Sequence, residues 1–417
     1  MWVLWRAIFS AKMLIMVLTG FMSGLPLLLT GSTLQAWMKD EQVDLTTIGI
    51  FSIVGLPYTL KFLWSPVMDR YVPMGLGRRR SWMLITQVAL VGTIAALGLT
   101  QPSQAPWTVA VVAVLVTFCS ASQDIVLDAY RRELLPDNEL GLGSSLYING
   151  YRLAMLVAGA GALLLADQMP WRYVYYAMAA VMALGLVITL CAPESAGDVR
   201  TPESLRQAVI EPFLDYFRRE DPWMILAFIL LYKIGDTMAS AMTTPFILEL
   251  GFSKTEYATI GKSFGLFATL TGGFVGGAIL FRLGIFRSLW IFGVLQAVST
   301  LGFAVLTRTG TSLSALATVV AFENLTSGMG TSAYAAYMAS LTNRRFTATQ
   351  YALLTSLMGL PRVLASAPTG YLVKAIGWQG FFVLCALVAL PGILLLWRVA
   401  PWHEKALPAS RLSLEVD

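Results

Sequence analysis

Long apolar runs recur from one end of this chain to the other, and they fix the medium in which it folds. A helix needs about 20 consecutive apolar residues to cross a bilayer. Twelve stretches of the 417-residue sequence meet that length: 12–37, 46–68, 82–100, 107–132, 144–166, 171–192, 222–248, 257–281, 286–307, 312–340, 347–373 and 378–398. Charged residues make up 13% of the sequence, against about a quarter in a soluble domain. One soluble globular domain is therefore excluded. In hydrocarbon every backbone polar group needs an internal partner, so such runs specify helices. The expected fold class is all-α, a polytopic membrane protein of twelve transmembrane helices in two six-helix bundles. The longest loop, 193–221, divides the spans six and six. It implies an N-terminal bundle 1–192, a cytoplasmic linker 193–221, a C-terminal bundle 222–400 and a tail 401–417.

Basic residues orient the chain. One set of loops carries Arg70, Arg78, Arg79, Arg80, Arg131, Arg132, Arg200, Arg206, Arg218, Arg219, Arg282, Arg287, Arg344 and Arg345, and the termini add Arg6, Lys12, Arg398, Lys405 and Arg411. The opposite loops hold Lys39, Arg172, Lys254, Arg308 and Lys374. Excess Lys and Arg stay on the cytoplasmic side, so both termini are expected there. The net charge of +5 follows from this topology and gives no reason to invoke nucleic acid. The first apolar run is too long for a signal peptide and lacks a small-residue cleavage site, so it is expected to be retained. Cys119, Cys191 and Cys385 all fall within predicted spans and read as packing residues. In the linker, Thr201-Pro202-Glu203 reads as a helix start. Leu205, Val209, Phe213 and Phe217 follow at four-residue spacing, so one face can rest on the inner leaflet, with Arg206, Arg218 and Arg219 near anionic headgroups. A plain linker is the alternative.

Nine charged side chains interrupt the apolar stretches: Lys61, Asp124, Asp128, Arg152, Lys233, Asp236, Lys262, Glu323 and Arg362. A charge at the bilayer centre costs roughly 2.5–3.5 kcal/mol on insertion scales, so such residues face a wet cavity or each other. They are expected to line a polar path, with salt bridges that hold helices together as the structural alternative. An enzyme is disfavoured. No nucleophile triad, HExxH or metal spacing occurs, so no metal or cofactor is expected. Gly261-Lys262-Ser263 lacks the first glycine of a phosphate loop, and Ile234-Gly235-Asp236 has no partner acid in a matching setting.

The loop Ser65–Trp82, SPVMDRYVPMGLGRRRSW, carries an Asp-Arg step followed by a basic cluster. It resembles the cytoplasmic signature of the major facilitator superfamily between spans two and three, although Trp64-Ser65-Pro66 replaces the usual Gly-rich opening. The resemblance implies that Asp69 caps a helix and pairs across a cytoplasmic gate. Arg70, Arg78, Arg79, Arg80 and a second acid, Glu133, would complete that gate. A narrower resemblance covers nearly the whole chain. SGLPLLLTGSTLQAWM, KFLWSPVMDRY, FCSASQDIVLDAY, NGYRLAMLVAGAGALLLAD, LYKIGDTMASAMTTPF, FENLTSGMGTSAYAAYM and FTATQYALLTSLMGLPR look like the AmpG family of muropeptide permeases. Some members carry two further C-terminal spans, which this sequence does not show.

That resemblance implies a proton-coupled importer of anhydro-muropeptides across the bacterial inner membrane, working by alternating access and as a monomer. Its partners would be the anionic sugar-peptide, protons and the lipid bilayer. The substrate carries several carboxylates, which Arg grips with two parallel bonds and Lys meets as a point charge. Arg152 and Arg362 are the expected clamps, with Lys61, Lys233 and Lys262 as further anchors. Gln35, Gln123, Asn149 and Asn324 are candidates for hydrogen bonds to sugar hydroxyls and Tyr58, Tyr151 or Tyr232 for stacking on a pyranose ring, with ordinary helix contacts as the alternative. Asp124 and Asp128 share one helix face, and the lone His403 lies in the tail, so a carboxyl is expected to carry the proton. Asp124 or Asp128 is preferred. Asp236 and Glu323 are the alternatives, and Asp128 could instead pair with Arg70 or Arg78 at the gate. A permease for another bulky anion, such as a peptide, siderophore or acyl-CoA, is the competing reading.

Overall fold

Apolar runs in the sequence become helices in the computed structural model, which describes residues 9–43, 47, 51–194, 202–253, 256–361, 365–366 and 368–402. Among the described residues, nine helical stretches are long and apolar enough to cross a membrane. They correspond to nine of the twelve expected spans. The second, tenth and eleventh differ for local reasons. The second is broken into short turns over Phe51–Gly55, Leu56–Leu60 and Lys61–Leu63 before a helix at Ser65–Arg70. The tenth, Leu313–Ser340, is a continuous 28-residue helix but carries Glu323, Asn324 and many small residues. The eleventh begins as Thr347–Met358.

We number the principal helices α1 (Ala11–Leu29), α2 (Ser32–Asp40), α3 (Ser65–Arg70), α4 (Arg78–Gly98), α5 (Pro106–Leu134), α6 (Asp137–Leu156), α7 (Trp171–Cys191), α8 (Leu205–Phe217), α9 (Pro222–Leu231), α10 (Ile234–Glu249), α11 (Gly265–Leu283), α12 (Ile285–Thr309), α13 (Leu313–Ser340), α14 (Thr347–Met358) and α15 (Thr369–Val399). Local chemistry explains several of the ends. Ser10 and Ser312 cap α1 and α13 by accepting from Met13 N and Ala315 N, and prolines open α5 and α9, where the missing N–H costs nothing. Within α15 the backbone turns at Gly377, at φ 71°, a conformation that glycine adopts without a Cβ clash.

Backbone irregularity coincides with intramembrane charge. Lys61 opens a 3-10 turn, Lys233 sits at the break between α9 and α10, and Lys262 lies in the π-helical stretch Tyr257–Phe264. Non-helical backbone is tolerated at membrane depth only where protein or a wet cavity surrounds it.

Two compact units emerge. The first comprises 1–136, 146–214 and 342–356; the second comprises 137–145, 215–341 and 357–417. In the first unit α1 packs so closely on α6 that a Cβ on Gly20 or Gly24 would meet the carbonyls of Tyr147 or Tyr151, and one on Gly150 would meet that of Val17. Its apolar core includes Leu25, Leu29, Ile94, Val116 and Tyr175. In the second unit Phe246, Phe303, Phe382 and Trp378 form a cluster of edge-on, tilted and stacked rings with centroids 4.8–6.3 Å apart, and α11 packs on α13 through Gly272 and Gly328.

Candidate functional site

Helix α5 delivers the charges of the first unit. Asp128 bridges two cations: Lys61 Nζ lies 3.8 Å from its Oδ2 and Arg131 Nη2 lies 3.2 Å from its Oδ1. Arg131 also donates to Tyr351 Oη at 2.7 Å and stacks over the Tyr147 ring, 4.3 Å from its centroid. One turn earlier, Asp124 accepts from Ser23 Oγ at 2.5 Å. The two acids share a face, as their spacing requires, and α1, the Lys61 turn, α6 and α14 converge on it. Asp128 contacts Lys61 and Arg131 rather than Arg70 or Arg78. Arg131 and Arg132 are buried helical residues, not loop cations.

The second unit holds a separate cluster. Lys233 Nζ donates to Asp236 Oδ2 and to Gln296 Oε1, both at 3.1 Å. Glu323 Oε2 accepts from Ser299 Oγ at 2.6 Å, and Ser299 meets Thr326 Oγ1 at 2.8 Å. The Asp236 and Glu323 carboxyls lie against one another.

Next to the first cluster, the loop signature forms an enclosed ionic network. Arg79 is fully buried. It donates to Asp69 Oδ1 at 2.8 Å and to both oxygens of Glu133, the shortest contact being 2.5 Å. Arg78 reaches Glu133 at 3.0 Å and the Asp69 carbonyl at 3.3 Å. The other Asp69 oxygen accepts from Thr349 N and Thr349 Oγ1, each at 2.8 Å, and Ala348 N lies 3.3 Å from Oδ1. Asp69 thus caps the N-terminus of α14, where free N–H groups and the helix dipole favour an anion. Arg80 satisfies the carbonyls of Thr189 and Leu190 at the end of α7. Arg70 remains outside the network, with its guanidinium over the Tyr71 ring.

Glu194 completes this network, though it carries no sequence motif. Its Oε1 accepts from Arg79 N at 3.4 Å, and its carboxyl fills the space where a Cβ on Gly77 would stand. Gly77 has φ 90°, so the position suits glycine twice over. Burial pushes the Glu194 carboxyl up from its ordinary value of 4.5, against the pull of the Arg79 and Arg80 backbone N–H groups.

The remaining candidates divide. Gln123 Nε2 donates to Met22 O at 2.9 Å, while Asn324 donates to Val320 O and accepts from Thr269; both amides are engaged in helix contacts. Gln35 is exposed on α2, and Tyr151 and Arg152 are partly exposed on α6. Arg362 and the side chain of Lys262 lie outside the described residues. Sequence reasoning missed Arg131, Tyr147, Tyr351, Ser23, Ser299, Gln296 and Glu194. Only Arg131 carried a usable signal, its three-residue spacing from Asp128 on one helix. Among the described residues, no cluster of His, Cys, Asp and Glu could hold a metal ion.

Comparison with known proteins decides the family. The family model of the Major Facilitator Superfamily matches residues 13–366. The anhydromuropeptide permease of Escherichia coli K12 is 46% identical over 385 residues, covering 92% of this chain and 78% of that protein. A Rickettsia felis protein that carries the name AmpG 4 is 34% identical over 90% of this chain and 94% of its own length. This chain belongs to the AmpG family of the Major Facilitator Superfamily. An uncharacterized Haemophilus influenzae protein is 44% identical over 95% of this chain and 96% of its own length. Solved structures share the fold at low identity. The proton:xylose symporter XylE superposes with TM-score 0.72 at 11% identity, over 96% of this chain and 98% of its own. The human organic anion transporter MFSD10 gives 0.65 at 18%, over 92% and 97%. As an AmpG-family protein, the chain is a multi-pass membrane transporter and not an enzyme.

Proposed function

We propose that this protein imports anhydro-muropeptides from periplasm to cytoplasm across the bacterial inner membrane, coupled to protons. The observation that carries this reading is the relative named anhydromuropeptide permease, 46% identical over 92% of this chain. The site chemistry supports it. Each compact unit holds a lysine against a carboxylate, the buried Lys61 with Asp128 and the partly buried Lys233 with Asp236. A substrate carboxylate competes with that partner for the lysine, and the displaced acid is then free to take a proton. Charge stays balanced at each step, as burial requires. Asp124 or Asp128 carries the proton in the preferred scheme, and Asp236 with Glu323 in the alternative. Arg152, Lys262 and Arg362 are proposed as further substrate contacts, with Gln35 and Tyr151 toward the sugars.

In the same reading, the six-helix bundles 1–192 and 222–400 alternate access about these charges, with both termini in the cytoplasm and one chain as the working unit. The Asp69–Arg79–Glu133 network with the α14 cap is the cytoplasmic gate. Substrate identity is tested by counterflow. Vesicles with purified protein, preloaded with unlabelled N-acetylglucosaminyl-anhydro-N-acetylmuramyl peptide, should take up the labelled compound unchanged without any imposed gradient. Exchange of free peptide but not of the sugar-peptide would reject the substrate assignment.

A further inference from the structure

The linker helix α8 is held by one face and bare on the other. Ala208 and Tyr216 are almost inaccessible. Gln350 Nε2 donates to Pro212 O at 3.1 Å, and Arg345 pairs with Glu211 at 3.6 Å. Its exposed side presents Leu205, Val209, Ile210, Phe213, Leu214 and Phe217, each 37–48% exposed. A helix bathed in water would place polar side chains there. Charge and depth both indicate what covers this face. Arg206 is exposed within this face, at its N-terminal end, and Arg218 at its edge; Glu203 and Glu220 are exposed at the two ends of the helix, and Arg219 is paired with Asp215 at 2.9 Å. The Phe217 ring lies tilted against Trp223, centroids 5.0 Å apart, and Trp223 is 70% exposed at the opening of the membrane-length stretch Pro222–Glu249. A tryptophan at the end of a span sits at headgroup level, and it brings the apolar face of α8 to that level.

We propose that α8 is an interfacial helix: its Leu205–Val209–Phe213–Phe217 face enters the boundary between headgroups and acyl chains, while Arg206 and Arg218 take anionic headgroups. Helices of this kind sit about 5–10 Å into that boundary and bind more strongly to anionic lipid. The occupant is a lipid surface, not a protein.

Spin labels test this in the full-length protein carrying Cys119→Ser and Cys191→Ser, since Cys385 is buried. Labels are placed through Val209→Cys, Phe213→Cys and, for reference, Glu203→Cys. The proteins are reconstituted in phosphatidylcholine with or without phosphatidylglycerol. At 209 and 213 the ratio of oxygen to nickel-chelate accessibility should exceed that at 203 several-fold, and phosphatidylglycerol should raise it further. Arg206→Gln with Arg218→Gln should abolish the phosphatidylglycerol effect. In unlabelled protein phosphatidylglycerol should raise the melting temperature, and the same double variant should remove that rise. Equal nickel accessibility at 209, 213 and 203 overturns the proposal, as does shielding from both reagents, which would mean a protein cover. Phosphatidylglycerol effects that survive loss of both arginines overturn the headgroup assignment.

Discussion

Arg79 holds two buried carboxylates at once, and its removal leaves both without their principal cation. Breaking such a buried pair costs about 3–5 kcal/mol. Arg79→Gln should therefore lower thermal stability sharply, whereas Arg70→Gln, outside the network, should stay within about 0.5 kcal/mol; thermal unfolding of the purified proteins checks the contrast. Glu194 contributes with the opposite sign. The folded protein holds its proton more tightly than the unfolded chain, so its stabilising effect is complete below about pH 4.5, its ordinary value, and is lost as pH rises through the raised folded value. Against wild type, the melting temperature of Glu194→Gln should gain steadily from pH 4.5 toward neutrality. A difference flat with pH would contradict this. Glu194 was invisible in the sequence because nothing there reports that residue 194 folds back onto Gly77. Asp69, by contrast, was legible from the loop signature, and Glu133 from its place at the end of the fourth span, three residues before Pro136.

Helices α1 and α6 meet backbone to backbone at Gly20, Gly24 and Gly150. Their glycine contacts let two backbones touch, and Ser23, beside Gly24 on α1, donates to Asp124 of α5 at 2.5 Å. Gly24→Leu should push the helices apart, cost about 1–3 kcal/mol through overpacking, and reduce counterflow in the protein that still folds. Unchanged counterflow at normal stability would show that the seam does not position the site. Helices were legible wherever apolar runs were unbroken, as in α4, α7 and α12. The breaks at Lys61 and Lys233 were not, because hydropathy records the span and not the hydrogen bonds released around a charge. Arg131 was misplaced for a related reason. Positive charge near the end of a span reads as loop, yet an ion pair with Asp128 and a stack on Tyr147 let it stay buried within the helix.

At the scale of the whole molecule, each compact unit carries one lysine–aspartate pair with a second acid nearby, and this arrangement suits exchange of a substrate carboxylate for a proton. The most direct measurement is uptake of labelled N-acetylglucosaminyl-anhydro-N-acetylmuramyl peptide into right-side-out vesicles, with and without an imposed gradient, acidic outside. Proton-coupled import predicts accumulation above the external concentration that collapses when the gradient is dissipated. Asp124→Asn or Glu323→Gln, whichever removes the coupling site, should retain counterflow but lose accumulation. Uptake that only equilibrates, whether or not the gradient is present, would contradict it.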